Sequence, residues 1–180
     1  CMRADGEPGG LLVVGGYPQR SDDRAGRPFF GTVGQWLRQT VAAHWDGPVV
    51  YDNAVRCAPG TTRVTDKAVT ACRGYLARIV EQARPQRILA IGSTAMRGLF
   101  GRAVHIASVR GGYAYLADSE IPVFLLPEPT GALSNPQLRA HFVHDVQHAL
   151  TCDLPALPPW DAQVRVVQDQ DDAAQAAQEL

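Results

Sequence analysis

The stretch ILAIGSTAMRGLF, residues 88–100, decides the fold. Four apolar residues run unbroken and stop at Gly92-Ser93, and residues 94–100 then read as a helix. A short apolar run with no alternation is the pattern of a strand buried on both faces, as in a parallel sheet. The same punctuation recurs on either side. Leu11 to Val14 closes on Gly15-Gly16, Val49-Val50-Tyr51 closes on Asp52-Asn53, and Val123 to Leu126 closes on Pro127-Glu128. Helical patterns separate these runs at residues 34–45, 66–84 and 137–150. The clearest is 66–84, where Val69, Cys72, Leu76, Ile79 and Ala83 share a face, Thr65 suits an N-cap and Pro85 stops the helix. Strands alternating with helices predict a three-layer α/β/α sandwich around a central parallel four-stranded sheet. Ligands of such sheets bind outside the C-terminal strand ends, which selects the loops at residues 15–31, 53–65, 92–93 and 127–135.

The chain of 180 residues is long enough for one domain with its own core. Its 46% hydrophobic and 19% charged content excludes disorder for the bulk. No apolar run approaches the roughly 18–20 residues that cross a bilayer, and no basic-then-apolar signal opens the chain. A cytoplasmic protein with no membrane partner is expected. With 17 Lys plus Arg against 18 Asp plus Glu, the net charge of -1 lacks the basic excess of a dedicated nucleic-acid binder. The chain opens on Cys1-Met2, so residues upstream are expected. At the other end LPALPP marks a linker, dividing the chain into a domain at 1–153, a Pro-rich linker at 154–163 and a strand-helix stub at 164–180.

Four cysteines, Cys1, Cys57, Cys72 and Cys152, suit metal or cluster ligands or buried apolar groups better than disulfides. His141, His144 and His148 share one helix face and could be drawn as a metal site. Leu138, Phe142, Val146 and Ala149 mark the opposite face as the buried one, so the histidines are expected in solvent.

GRPFFGTVGQWL, residues 26–37, resembles the G-x-P-F-x-G-x-A-G-x-L segment of the uracil-DNA glycosylase superfamily, in particular its iron-sulfur fourth family. VVYDNAVRCAPG is similar to that family's V-Y-I-T-N-V-V-K-C-R-P-P, with Cys72 following Cys57 after fourteen intervening residues. ILAIGSTAMRGLFG and Arg110-Gly111 resemble the next two segments, in order. The resemblance covers residues 11 to about 150. It implies a pocket for a base flipped out of DNA, in which Phe29 stacks on the base and Asn53 reads its polar edge through an amide that both donates and accepts. Read bare, Phe29 is core and Asn53 a turn residue. The resemblance also implies a [4Fe-4S] cluster held by four thiolates, with Cys57 and Cys72 as two, Cys1 as a third, and a residue upstream or Cys152 as the fourth; the bare alternative for Cys72 is a buried apolar thiol.

The departures from the family are as informative. Its G-E-A-P-G, whose Glu positions the attacking water, is Gly15-Gly16-Tyr17-Pro18-Gln19 here. The carboxylate is lost at Gly16, and Tyr17 stands where the family lines the pocket with a small residue. Its H-P-S, whose His stabilises the departing base, corresponds to Glu128-Pro129-Thr130. Loss of a positioned acid or base removes roughly 10² to 10⁴ in rate. The favoured reading is therefore a glycosylase-fold domain with decayed chemistry, serving as a DNA-binding or architectural module of a larger replication or repair protein. Two alternatives compete with it. One is an active glycosylase on uracil or a modified base, with Glu128 supplying the carboxylate and Asp22 or Asp23 nearby; the other is a protein-interaction scaffold. DNA contacts are expected to be weak and phosphate-mediated, through Arg27, Arg63, Ser93, Arg110 and Thr130, with Arg20 and Arg24 on the same face. VRVVQDQDDAAQAAQEL is similar to the start of the exonuclease region of family A DNA polymerases, which implies a phage polymerase partner in the same polypeptide.

Overall fold

The computed structural model describes residues 2–59, 64–101, 111–116 and 119–154. Its strands are β1 (Asp5–Gly6), β2 (Leu11–Gly15), β3 (Val49–Asn53), β4 (Arg87–Ile91), β5 (Tyr113–Tyr115) and β6 (Pro122–Leu126). They form one sheet in the order β1-β3-β2-β4-β6-β5. The inner four strands are parallel, as the apolar runs predict, and the outer two pair antiparallel to their neighbours. These edges are an addition to the expected four-stranded sheet. They span two and three residues, too few to leave a periodic signal.

The helices are α1 (Arg20–Ala25), α2 (Thr32–Ala42), α3 (Asp66–Ala83), α4 (Gly92–Phe100), α5 (Thr130–Ser134) and α6 (Pro136–Thr151). Thr65 caps α3 by accepting from the Ala68 N–H at 3.2 Å. Arg84 turns left-handed at the far end, with φ 43, just before Pro85. Asn135 caps α6 through the N–H groups of Gln137 and Leu138. Among the described residues no helix is long and apolar enough to cross a membrane.

Successive strand residues face opposite layers, so the sheet separates two cores. Leu11, Val13, Leu89, Phe124 and Leu126 meet Leu37 and Val41 of α2 and Phe142 and Val146 of α6. Leu12, Val14, Ile88, Ala90 and Val123 meet Leu76 of α3 and Met96 of α4. A fully buried side chain of this size contributes roughly 1.5–3 kcal/mol, so both layers are held firmly under the loops. The predicted histidine face is exposed at His141, His144 and His148, and no three metal-ligating side chains cluster among the described residues. Leu138, assigned to the buried face of that helix, is instead 49% exposed, because it lies in the first turn, ahead of the sheet. The linker beyond Leu154 and the stub at 164–180 lie outside the described residues.

The chain passes from β2 outward to β3 and then returns to β4 on the other side of β2. The loops leaving β2 and β4 therefore diverge, and a cleft opens between them at the carboxyl ends of the strands.

Candidate functional site

That cleft has a volume of about 790 Å³ and is lined by Gly15, Gly16, Tyr17, Phe29, Asn53, Thr94 and Glu128, among others. Glycines make the room. Gly15 sits across from Asn53 in the β2–β3 register, and a Cβ on it would lie 2.6 Å from both Asn53 Oδ1 and Phe29 Cζ. The bare backbone of Gly15 thus lets the amide and the ring meet. Asn53 is buried, its N–H donates to Asp52 Oδ1 at 2.8 Å, and its side-chain amide has no hydrogen-bond partner among the described residues. Donor and acceptor both remain for a ligand.

Phe29 is held harder still. Its φ of 55 is left-handed, an uncommon and costly conformation for an aromatic residue. A Cβ on Gly34 would fall 2.4 Å from Phe29 Cα, so the α2 glycine admits this turn. Arg38 of α2 donates to Pro28 O at 2.8 Å and to Asp5 Oδ2 at 2.6 Å. Its guanidinium also lies 3.8 Å from the Tyr51 ring centroid, and Tyr51 meets Phe29 edge-on at 5.8 Å. Asp5 Oδ2 accepts from Arg27 as well, at 3.1 Å. Burial pulls the Asp5 carboxyl up, but the bonds and charges of the two guanidiniums prevail and leave it below its ordinary value.

Asp22 was a candidate catalytic carboxylate, and the fold gives it a structural post. It is buried, and it accepts from Phe30 N at 2.8 Å, Gly31 N at 3.0 Å and Gln19 N at 2.9 Å. Asp22 also lines the cleft, and these three bonds make it the clasp of the loop that carries Phe29. Asp23 is exposed on α1 and does not line the cleft.

Glu128 reaches the cleft from the turn after β6. Water reaches it through the open mouth, while protein on the other sides withdraws enough solvent to push its carboxyl up to about 7. Gly92, with φ +81 at the start of α4, makes way for it: a Cβ there would lie 2.0 Å from Glu128 Oε1. Glu128 has no hydrogen bond or ion pair among the described residues. Gly16 faces Thr94, whose Cβ would stand 3.2 Å from a Cβ at position 16. Nothing in the sequence singles out Thr94; its neighbour Ser93, expected as a DNA-backbone contact, is exposed and outside the cleft. Thr130 lines the cleft and Arg27, Arg20 and Arg24 are exposed, whereas Arg63 and Arg110 lie outside the described residues.

The cysteines divide by location. Met2 N donates to Arg56 O at 2.8 Å, and the Arg56 guanidinium lies 5.4 Å from the ring of Tyr75 on α3. The chain's described start, the segment carrying Cys57 and the α3 turn carrying Cys72 are thus packed together, with Cys57 exposed and Cys72 half-buried. Soft thiolates at such a junction fit a cluster; Cys1 lies outside the described residues. Cys152 does not fit. Arg87, the first residue of β4, donates to Cys152 O at 2.9 Å and contacts its Sγ at 3.7 Å, which places this cysteine at the opposite end of the sheet from Cys57. A five-residue strand separates the two ends by on the order of 13 Å.

A family profile described as Uracil DNA glycosylase superfamily matches residues 7–150. The chain is 32% identical over 146 residues to the Type-4 uracil-DNA glycosylase of Pyrobaculum aerophilum, covering 76% of this chain and 74% of that one. It is 32% identical over 139 residues to the protein of the same name from Sulfurisphaera tokodaii, covering 72% and 63%. Against the Archaeoglobus fulgidus protein, also a Type-4 uracil-DNA glycosylase, identity is 29% over 145 residues, covering 75% and 72%.

Proposed function

The chain belongs to the uracil DNA glycosylase superfamily, and we propose that it hydrolyses the bond between deoxyribose and uracil or a modified base in DNA. The observation that carries this reading is the convergence of Phe29, Asn53 and Glu128 on one cleft at the strand ends. Phe29 offers a ring face to an extruded base, and Asn53 offers a paired donor and acceptor to its edge. Glu128 bears the chemistry. Treated as an ordinary carboxylate it is an anion beside a departing anion, which is why the sequence favours decay. Its side chain is exposed at the mouth of the cleft, yet the protein around it pushes the carboxyl up to about 7, so a protonated form is available near neutral pH and Glu128 need not act as an anion.

In the proposed step the C1′–N bond breaks with its electron pair leaving on the base. Glu128 delivers its proton to that base, and water adds to C1′ and gives its own proton to solvent. A carboxyl tuned close to the working pH is the form a general acid takes. Water enters beside Gly16 and Thr94, without the carboxylate that relatives with the G-E-A-P-G motif carry. Cys57 and Cys72 would hold an iron-sulfur cluster in part; when bound, it would cross-link the chain's start, the segment after β3 and α3. Neither cysteine lines the cleft, so a cluster held by them would contribute to stability rather than to the chemistry in the cleft.

The experiment is single-turnover excision from single-stranded oligonucleotides carrying uracil, hypoxanthine or another deaminated base, read by alkaline cleavage. Release of at least one base, abolished by Asn53→Ala, is the expected result; no release from any substrate overturns the reading. The bare backbone at Gly16 favours one second reading, a module that binds DNA without turnover, and the same assay separates the two. The polymerase resemblance rests on residues 164–180 alone, outside both the described chain and the family match.

A further inference from the structure

Next to the cleft, and sharing Phe29 with it, lies a shallow cavity of about 160 Å³ lined by Arg27, Pro28, Phe30, Gln35 and Arg38. Phe30 is its unusual member. Its ring is 44% exposed, and the backbone that carries it is fixed on both sides. The Phe30 N–H donates to the buried Asp22 carboxylate at 2.8 Å, and the Phe30 carbonyl accepts from Gln35 Nε2 at 2.8 Å. The ring is thus held outward with little backbone entropy left to lose on binding. Beside it Arg27, with a side chain 57% exposed, is only loosely engaged by Asp5 at 3.1 Å, while Arg38 is committed to Asp5 and Pro28. A fixed aromatic face beside an available guanidinium is the combination by which proteins hold single-stranded nucleic acid: stacking on one base and charge pairing with its phosphate.

We infer that Phe30 and Arg27 form a subsite for the nucleotide next to the extruded one, the ring stacking on its base and the guanidinium meeting its phosphate. This rests on the glycosylase reading, since it takes the extruded base to lie against Phe29. The occupant follows from continuity. Residues 29 and 30 are consecutive, one lining the cleft and the other the outer cavity, and consecutive nucleotides of one strand would meet them in the same order.

The test measures binding, so it does not require turnover. Fluorescence anisotropy is read on short labelled single strands that carry a non-cleavable abasic analogue at the target position and either a normal base or a second abasic analogue on each side in turn. For the intact protein, removal of the flanking base on one side is expected to weaken binding roughly five- to a hundredfold, the range found for base–aromatic stacking. Phe30→Ala should weaken the base-flanked strand to the same level and leave the doubly abasic strand unchanged, Phe30→Trp should restore the difference, and Phe30→Leu should fall between. Arg27→Ala should reduce the salt slope by about one phosphate contact. Equal weakening of both strands by Phe30→Ala, or no weakening of either, overturns the subsite while leaving the glycosylase reading intact if the intact protein still excises. Absence of DNA binding by the intact protein overturns both.

Discussion

Replacing Glu128 by Gln removes the transferable proton while keeping the shape and a donor group, and the fold dictates how the rate should respond. With a carboxyl near 7, the protonated fraction is about nine-tenths at pH 6, a half at pH 7 and a tenth at pH 8. If the acid form acts on the leaving base, the excision rate of the intact protein falls about tenfold from pH 6 to pH 8. Glu128→Gln should lie roughly 10² to 10⁴ lower at pH 6 and show no such slope. The assay is single-turnover excision in a buffer series at constant ionic strength. Stability supplies an independent reading of the same group. Its folded value lies above its ordinary 4.5, so the folded protein binds the proton more tightly than the unfolded chain does. The stability that goes with the protonated form is fully present below about 4.5 and is lost as pH rises through about 7. The Tm of the intact protein should therefore decline relative to Glu128→Gln across that window and run parallel above it. A rate that climbs with pH through 7, or a Tm difference that is flat across the window, would refute the assignment of Glu128 as the acid.

Other consequences are open to direct measurement. Gly16→Glu should raise excision of uracil, because the cleft has room for the chain if Thr94 yields by a few tenths of an ångström; an unchanged or lower rate in a folded variant would show that the missing carboxylate is not the limitation. Asp22→Ala should lower stability by about 3 kcal/mol or more in urea unfolding, since three N–H groups lose a charged acceptor, whereas Asp23→Ala should be neutral; equal effects would mean that Asp22 is not the clasp of the loop. Asp5→Asn should change stability by less than about 1 kcal/mol, the scale of partly exposed pairs, yet weaken binding of DNA with an extrudable base by loosening Arg38 beneath Tyr51; unaltered binding would sever Asp5 from the pocket. Anaerobically purified protein should contain iron that Cys57→Ala removes, and iron-free, fully stable protein would leave these thiols without a cluster.

The parallel centre of the sheet was legible because strands buried on both faces must be apolar at every position, and 11–14, 88–91 and 123–126 are. The edge strands were not, since Asp5-Gly6 carries no pattern of its own and becomes a strand only by pairing with Val50 and Tyr51. Phe29 and Asn53 were legible through the resemblance, and both line the cleft. Thr94 was not legible as a cleft residue because a helix turns about 100° per residue, and nothing in the sequence sets the phase of α4 to that accuracy. The surroundings of Glu128 were illegible for a different reason. Charge is written in the sequence, but solvent exclusion depends on which residues surround a group, and here these include a glycine 36 positions earlier.

The cleft is shaped in large part by atoms that are absent. At Gly15 and Gly34 even a methyl group would collide with Phe29 or Asn53, and at Gly92 the left-handed backbone strains any side chain, so these positions admit little gradual variation. Tyr17 and Thr94 are ordinary side chains on the same cavity, and they can be enlarged, shrunk or made polar one step at a time. Drift and laboratory selection are therefore channelled onto one side of the cleft. Substitutions at positions 17 and 94 would reshape the cleft without disturbing the close approaches that Gly15 and Gly34 permit.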